Sequence, residues 1–269
     1  RRRVGGAGPR WCRVNTLRLS VEEAQRALGR RHGECSQDEH LGDLLRLPPG
    51  TDLHDDELVR SGAVVLQGKS SCMPAHALRP EPGWHVIDAC AAPGNKTTHL
   101  AALMANRGKV SAFELDPRRL ERLRANVEAC GASIVEPRLQ DFLAADPAGA
   151  EWRDVRAVLL DPSCSGSGTA ESRGDHLLPS YASKKGKGRG PQAEDERLEA
   201  LAAFQEEALR HAMAFPAVER IVYSTCSVHA RENELVVAAV LGQAERLGFD
   251  VEPALPQWPR RGQALVEGF

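Results

Sequence analysis

The 269-residue chain has the length of one large domain, or of a small domain joined to a medium one. Hydrophobic residues make up 42% of it, enough for a sizeable core, but no apolar run reaches the roughly 18 residues that a membrane-spanning helix needs. The net charge of −2 does not fit a chain that is basic throughout, and the Arg-rich start lacks the apolar stretch of a signal peptide.

Positive charge is concentrated in two segments. Five arginines lie within residues 1–13, and three lysines and an arginine lie within residues 184–189. Local basic patches supply phosphate contacts even in proteins whose net charge is near zero. Two solvated, flexible segments are the alternative interpretation.

Seven cysteines are spread along the chain, and none of them forms a C-x-x-C pair. This spacing predicts no zinc site, and the scatter of the cysteines through apolar stretches indicates a reducing compartment. We expect most of them to be small core residues. Cys164 and Cys226 differ, because both follow predicted strands and have polar neighbours.

The first 80 residues predict a disordered basic start over residues 1–10 and a small α+β subdomain over residues 11–80. Ser20 is the predicted N-cap of its first helix, and a polar, irregular stretch follows over residues 29–42. The other predicted elements are a strand over 11–19, a helix over 21–28, short strands over 44–47 and 63–66, and a helix over 71–78.

From His85 onward, strand and helix patterns alternate, which predicts an α/β fold with a parallel sheet and helices on both faces. This region, residues 81–269, is the predicted catalytic domain, with a flexible Gly- and Lys-rich loop at about 172–192. The predicted strands cover 85–88, 109–115, 133–138, 156–161 and 219–224, and the predicted helices cover 95–105, 117–130, 194–214 and 231–246.

Ligands gather at the carboxyl ends of the strands in such a sheet. The first predicted strand ends at Asp88 and runs through a turn containing Pro93 and Gly94 into a helix. Such a turn exposes backbone N–H groups at a helix start, which suits an anionic or carboxylate-bearing cofactor. The fingerprint G-x-G-x-x-G is absent, so a turn that binds nothing remains the alternative.

Carboxylates follow the second and third predicted strands. Glu114 lies 20 positions after Gly94, where a nucleotide-binding fold places the acid that accepts the ribose hydroxyls. Asp116 is the predicted N-cap of the next helix. Asp141 could accept a hydrogen bond from an adenine amino group, and Phe142 could cover the adenine ring. The alternative is that Asp141 is a simple turn residue.

The fourth and fifth predicted strands each end beside a thiol. Asp161 and Cys164 follow the fourth strand, and Cys226 follows the fifth. We expect the three side chains to meet at one edge of the sheet. Polar neighbours favour partly exposed thiols, and a thiolate is the nucleophilic form of cysteine.

Three motifs in this order resemble the Sun-domain (Nol1/Nop2/Sun) RNA cytosine-5 methyltransferases. They are Asp88-Ala-Cys-Ala-Ala-Pro-Gly-Asn-Lys-Thr97, Asp161-Pro-Ser-Cys-Ser-Gly166 and Tyr223-Ser-Thr-Cys-Ser227. Supporting matches are Arg13-Val-Asn-Thr-Leu17, Gln67-x-x-Ser-Ser71 and Glu232-Asn-Glu234. Within the family, the chain looks most like the subfamily directed at ribosomal RNA.

The resemblance implies a Rossmann-like methyltransferase core that binds S-adenosyl-L-methionine. It implies that Glu114 holds the ribose, that Asp141 meets the adenine and that Asp161 faces both the cofactor and the target base. The turn that would wrap the methionine end of the cofactor consists of Cys90, Ala91, Ala92, Pro93, Gly94, Asn95 and Lys96.

The resemblance also implies a covalent reaction at the cytosine. Cys226 would add to C6, Cys164 would help to release the methylated product, and Lys96 would reach into the active site. Asp161, protonated or sharing a proton with N3, would stabilise charge on the ring. The base has to leave any stack to reach the pocket, so single-stranded or loop RNA is the natural substrate.

The remaining implications concern partners and location. Ribosomal RNA is the expected partner, the expected location is the nucleus and its nucleolus, and a monomer with no metal and no membrane contact is expected. Two departures from the family pattern stand out. Ser163 replaces the Pro that usually precedes the cysteine, and the Pro-rich residues 254–261 replace a final sheet hairpin, as in a truncated or alternatively ended form.

Three other functions compete with this interpretation. One is a catalytically weak RNA-binding ribosome-assembly factor that retains the methyltransferase fold. A nicotinamide-dependent dehydrogenase is disfavoured by the missing glycine fingerprint and by the two thiols at strand ends. An amino-directed methyltransferase would have an Asn/Asp-Pro-Pro-aromatic turn where this chain has Asp161-Pro-Ser-Cys164.

Overall fold

The structure, a computed structural model, describes residues 8–172 and 191–259. The predictions of a disordered start, a flexible loop at about 172–192 and a missing final hairpin therefore fall largely outside the described residues. Within the described residues, no helix combines the length and the apolar character needed to cross a membrane.

The N-terminal part of the chain forms an antiparallel sheet with the strand order β2-β3-β1-β4. Leu28, Leu45 and Val64 are buried in the core between this sheet and its first helix. The elements are β1 (Arg10–Val14), α1 (Val21–His32), β2 (Ser36–Gln37), β3 (Leu44–Leu47), α2 (Glu57–Arg60) and β4 (Val64–Val65).

Helix α1 begins where the sequence predicts. The Ser20 hydroxyl accepts from the Glu23 backbone N–H at 3.2 Å, and the Glu23 carboxylate accepts from the Ser20 backbone N–H at 3.1 Å. This capping box pairs two N–H groups that would otherwise lack partners at the helix start.

Several predicted boundaries in this part of the chain are wrong. The stretch 29–42 is not irregular throughout, because α1 continues to His32 and β2 follows. Asp56 explains the longer helix, since its carboxylate pairs with Arg31 and His32 in the last turn. The first strand starts at Arg10, inside the expected disordered segment, and ends at Val14 instead of residue 19.

The second sheet has the predicted parallel arrangement, with the order β7-β6-β5-β8-β9. This α/β architecture confirms the predicted fold class. Its strands are β5 (His85–Asp88), β6 (Lys109–Glu114), β7 (Val135–Leu139), β8 (Val155–Leu160) and β9 (Arg220–Tyr223). Its helices are α3 (Lys69–Leu78), α4 (Asn95–Leu103), α5 (Pro117–Cys130), α6 (Ser167–Ser172), α7 (Pro191–Ala212) and α8 (Glu234–Arg246).

Two apolar cores cover the two faces of the parallel sheet. Successive residues of a strand point to opposite faces, so Val86 enters one core and Ile87 the other. Leu159 and Leu160 divide between the cores in the same way. Burial on both faces explains why residues 157–160 of β8 form a continuous apolar run instead of an alternating one.

Buried polar contacts join the N-terminal subdomain to the parallel sheet. The Arg13 guanidinium donates to Gln67 at 2.7 Å and to the Thr98 hydroxyl of α4 at 3.0 Å. Asp43, just before β3, takes one hydrogen bond on each carboxylate oxygen, from His76 of α3 and His99 of α4, each at 2.7 Å. The two parts are therefore fixed to each other through α4, the helix that begins at the predicted cofactor turn.

Candidate active site

The candidate site lies at the carboxyl ends of the parallel strands. The turn after β5 leads into α4, and the segments after β8 and β9 carry Cys164 and Cys226. These strands are neighbours in the sheet, so their ends face the same edge.

Asp88 anchors the turn after β5. Its side chain is buried and accepts a 2.7 Å hydrogen bond from the hydroxyl of Thr97 in α4. Burial raises the pKa of Asp88 to about 6, and the Thr97 hydrogen bond opposes that shift. Asp88 and Thr97 thus hold the start of α4 against the end of β5.

Gly94 lets the turn enter the helix. Its φ of 105° lies in the left-handed region, and a Cβ there would come within 2.8 Å of the Leu123 Cδ1. No side chain among the described residues caps the amino end of α4. The first-turn N–H groups therefore suit a carboxylate, so the turn fits the methionine end of S-adenosyl-L-methionine.

Glu114 and Asp141 lie at the ends of neighbouring strands, as predicted. One oxygen of the buried Glu114 carboxylate accepts from the backbone N–H groups of Leu115 and Asp116, both at 2.9 Å. The other oxygen lies 3.4 Å from the Arg119 guanidinium. Asp141 caps a 3₁₀ turn by accepting from the Leu143 N–H at 3.0 Å.

The expectation that Phe142 covers an adenine ring is wrong. Phe142 is buried in the core, where it packs against Phe113 and Phe215. The exposed apolar side chains at these strand ends are instead Leu115, which is 61% exposed, and Leu139, which is 53% exposed.

Asp161 is held from two sides. The Lys96 ammonium donates to one carboxylate oxygen and the Ser224 hydroxyl donates to the other, each at 2.6 Å. Lys96 comes from the start of α4, Asp161 from the end of β8 and Ser224 from the end of β9. The carboxylate thereby joins the cofactor turn to both thiol-bearing segments.

The two thiols meet beside this carboxylate. Cys164 Sγ and Cys226 Sγ are 3.2 Å apart, and both cysteines are free. Although Cys226 is exposed, partial desolvation, followed by the neighbouring Cys164 and Asp161, raises the pKa of its thiol to about 11. Cys226 is thus a protonated thiol at neutral pH in the protein without substrate.

Two kinds of residue at this site escaped the sequence interpretation. Ser224 lies within the motif that ends at Ser227 but has no assigned role there, and the structure shows that it hydrogen-bonds Asp161. Gln205 of α7 contacts the segment around Cys164 from 42 positions away in the sequence, a distance at which no local pattern gives a signal. Glu232 belongs to a supporting motif, but its contacts were not foreseen.

Two family models match the chain. The model described as 16S rRNA methyltransferase RsmB/F matches residues 75–254. The model described as the ferredoxin-like domain of NOL1/NOP2/Sun domain family member 5 matches residues 25–67. The first match covers the parallel sheet with its site, and the second covers most of the antiparallel sheet.

Curated relatives and a solved structure agree with these matches. The chain is 49% identical over 265 residues to the Arabidopsis thaliana 25S rRNA (cytosine-C(5))-methyltransferase NSUN5, covering 98% of this chain and 46% of that one. It is 42% identical to the Mus musculus 28S rRNA (cytosine-C(5))-methyltransferase, and the match covers 97% of this chain and 57% of that protein. The solved structure of a methyltransferase homologue from Pyrococcus horikoshii superimposes with a TM-score of 0.70 at 29% identity. The superposition covers 87% of this chain and 70% of that one.

The chain thus spans about half the length of the curated relatives it matches. The model match covers the site-bearing sheet, and the identity to these relatives extends over nearly the whole chain. The chain belongs to the Sun-domain family of RNA cytosine-5 methyltransferases.

Proposed function

We propose that this chain transfers a methyl group from S-adenosyl-L-methionine to C5 of a cytosine in RNA, and that the RNA is ribosomal. The observation that carries this proposal is the pair of thiols, Cys164 and Cys226, 3.2 Å apart at the strand ends beside Asp161. The relatives named as rRNA (cytosine-C(5))-methyltransferases support the choice of base and RNA.

The cofactor residues are assigned to the carboxyl edge of the sheet. Cys90 to Lys96 would hold the methionine end, Glu114 the ribose and Asp141 the adenine amino group. The uncapped start of α4 and the exposed Leu115 and Leu139 beside the two acids fit these roles. When bound, S-adenosyl-L-methionine supplies a methyl group on a positively charged sulfur.

The two thiols serve a base that is too weak a nucleophile by itself. Addition of the Cys226 sulfur to C6 makes C5 electron-rich, so that C5 attacks the methyl group. Loss of the C5 proton then re-forms the C5–C6 double bond, and the C6–S bond breaks with its electron pair returning to sulfur. Cys164, beside Cys226, has the position to assist this release.

Asp161 would share a proton with N3 of the cytosine and so stabilise the negative charge that the ring gains when the Cys226 sulfur adds to C6. Its carboxylate is pre-oriented by Lys96 and Ser224, so no reorganisation is needed when the base arrives. Lys96 lies within the same contact and adds a positive charge to the pocket.

The substrate chemistry favours unpaired RNA, because the cytosine must leave the stack. The names of the relatives support action on ribosomal RNA and hence a nucleolar location in the nucleus. A monomer with no metal and no membrane contact stays a prediction, and so does the division into residues 11–80 and 81–269.

Methyl transfer to RNA tests the proposal. The 269-residue chain is incubated with ribosomal RNA and isotopically labelled S-adenosyl-L-methionine, and nucleosides are analysed by mass spectrometry. We expect labelled 5-methylcytidine, abolished by Cys226→Ala and retained by Cys35→Ala, which removes a thiol outside the site. RNA binding without methyl transfer would instead support the ribosome-assembly factor.

A further inference from the structure

The two thiols lie on separate segments, and something must fix the distance between them. Cys164 follows β8, and Cys226 follows β9, 62 positions later in the chain. Neither cysteine lies in a helix or strand, so regular backbone pairing does not set their positions.

The residues on both sides of Cys164 are held by two buried side chains. The Glu232 carboxylate accepts from the Ser165 backbone N–H at 2.9 Å. Gln205 donates to the Ser163 backbone carbonyl at 3.0 Å and to the same Glu232 oxygen at 3.1 Å. Glu232 and Gln205 are both fully buried.

The residues on both sides of Cys226 are held by Asn233, which directly follows Glu232 in the chain. Its side-chain oxygen accepts from the Thr225 hydroxyl at 2.6 Å, and its amide nitrogen donates to the Ser227 carbonyl at 3.2 Å. Two consecutive residues therefore hold the flanks of two different cysteines. We call Gln205, Glu232 and Asn233 the thiol clamp.

The clamp is charged and internally braced. Burial favours a higher pKa for Glu232, but hydrogen bonds that include those from Ser165 and Gln205 outweigh it and hold the pKa below its usual value. The Tyr223 hydroxyl, at the end of β9, donates to the Glu232 backbone carbonyl and also lies 3.1 Å from the Gln205 side-chain oxygen. A buried carboxylate that accepts several hydrogen bonds resists displacement.

We infer that Glu232 is a positioning residue that sets the distance between Cys164 and Cys226 through Ser165 and Gln205, and thereby governs product release. It touches neither sulfur, so it acts through the backbone beside Cys164. This inference rests on the proposed function for its effect on release, whereas the effect on the distance between the thiols is independent of RNA.

Disulfide cross-linking measures the positions of the thiols without any RNA. Diamide oxidises the Cys164 and Cys226 thiols to one disulfide, and it takes up the two electrons and two protons that they lose to become the hydrazine. We expect Glu232→Ala to slow this cross-link by about tenfold or more, because a hydrogen bond to a charged group contributes about 1.5–3 kcal/mol. Glu232→Gln keeps an acceptor oxygen and should restore most of the rate.

A matched control separates positioning from general loss of stability. His85 is also buried and makes two polar contacts, with Ser111 and Asp154, but it lies at the opposite end of β5. His85→Ala should therefore leave the cross-linking rate close to that of the unaltered chain. If Glu232→Ala does not fold, Gln205→Ala replaces it, with slower cross-linking expected.

The second readout is turnover with RNA. Glu232→Ala should lower kcat with little change in KM for RNA, and RNA joined through Cys226 should accumulate, as expected when release is impaired. Unchanged cross-linking and turnover in a folded Glu232→Ala or Gln205→Ala variant would overturn the inference, as would equal defects in Glu232→Ala and Glu232→Gln. If the unaltered chain transfers no methyl group, only the proposed function is refuted. The cross-linking result still decides whether Glu232 positions Cys164.

Discussion

In the proposed mechanism, a single residue, Cys226, has to stay unreactive until the cytosine arrives. Partial desolvation is the main cause that raises its pKa to about 11, and Cys164 and Asp161 contribute to the same shift. A thiol with this pKa is almost wholly protonated at neutral pH, which protects it from alkylation and oxidation. Formation of the adduct with C6 therefore requires that the proton be removed in the assembled complex.

Alkylation of Cys226 should show this pKa directly. Without RNA, we expect the rate of alkylation by iodoacetamide to rise about tenfold per pH unit between about pH 7 and about pH 10. Below the pKa of a thiol, the fraction present as thiolate rises by this factor with each pH unit. Mass spectrometry of the Cys226 peptide gives the rate. Free cysteine, with a thiol pKa of about 8.5, is the reference, and a Cys226 rate that levels off with it would contradict the prediction.

At this scale, the sequence is informative where strand ends determine position. The grouping of Asp161, Cys164 and Cys226 follows from counting strands, because parallel strands end at one edge. Phe142 and Gln205 show the limit of this reasoning. Which side of a turn faces the core, and which distant helix contacts a loop, depend on packing between remote segments.

Among the elements, the junction of β5 and α4 depends on one buried hydrogen bond. Thr97→Val would remove the hydroxyl that donates to the Asp88 carboxyl, at nearly unchanged volume. We expect the free energy of unfolding to fall by about 1–3 kcal/mol, the cost of a buried polar group that loses its partner. Urea unfolding measures it, and Thr97→Ser, which keeps a hydroxyl, should lose less; equal losses in both variants would contradict the role of the hydroxyl.

Element boundaries were predictable where local signals act alone. Asp116 caps α5 as predicted, and the helix covers the predicted residues 117–130. Helix α1 shows where local signals fail, because its last turn is stabilised by Asp56, 24 positions beyond His32. A tertiary ion pair of this kind leaves no periodic pattern in the sequence.

Across the whole molecule, the burial of His99 beside Arg13 makes stability depend on pH. Burial, followed by the charge of Arg13, lowers the pKa of His99 from 6.5 to about 4. Between these values the unfolded chain binds the proton and the folded chain does not. Stability therefore falls as the pH falls from 6.5 to about 4, and His99 causes no further loss below about pH 4.

His99→Asn should remove this part of the pH dependence. We expect the unaltered chain to lose up to about 1.4 kcal/mol of unfolding free energy per pH unit from this residue, and the variant to lose correspondingly less. Denaturant unfolding between pH 7 and about pH 4 measures the difference. His85 and His211, whose pKa values are also lowered by burial, contribute equally to both proteins. Identical slopes would contradict the prediction.

The overall architecture was the most predictable level, since alternating strands and helices dictate a parallel sheet. The contacts between the antiparallel sheet and α4 were not predictable, although Arg13 and Gln67 stood in recognised motifs. Sequence motifs identify such residues, but only the fold shows that they join two parts of the molecule.

The most direct test of Cys226 as the nucleophile is to map the covalent adduct in the Cys164→Ala variant. The chain is incubated with ribosomal RNA and S-adenosyl-L-methionine, and the cross-linked peptide is identified by mass spectrometry. We predict an RNA–protein adduct through Cys226 that accumulates because release is impaired. An adduct formed through Cys164 in the Cys226→Ala variant, with none in Cys164→Ala, would contradict the assignment of the two thiols.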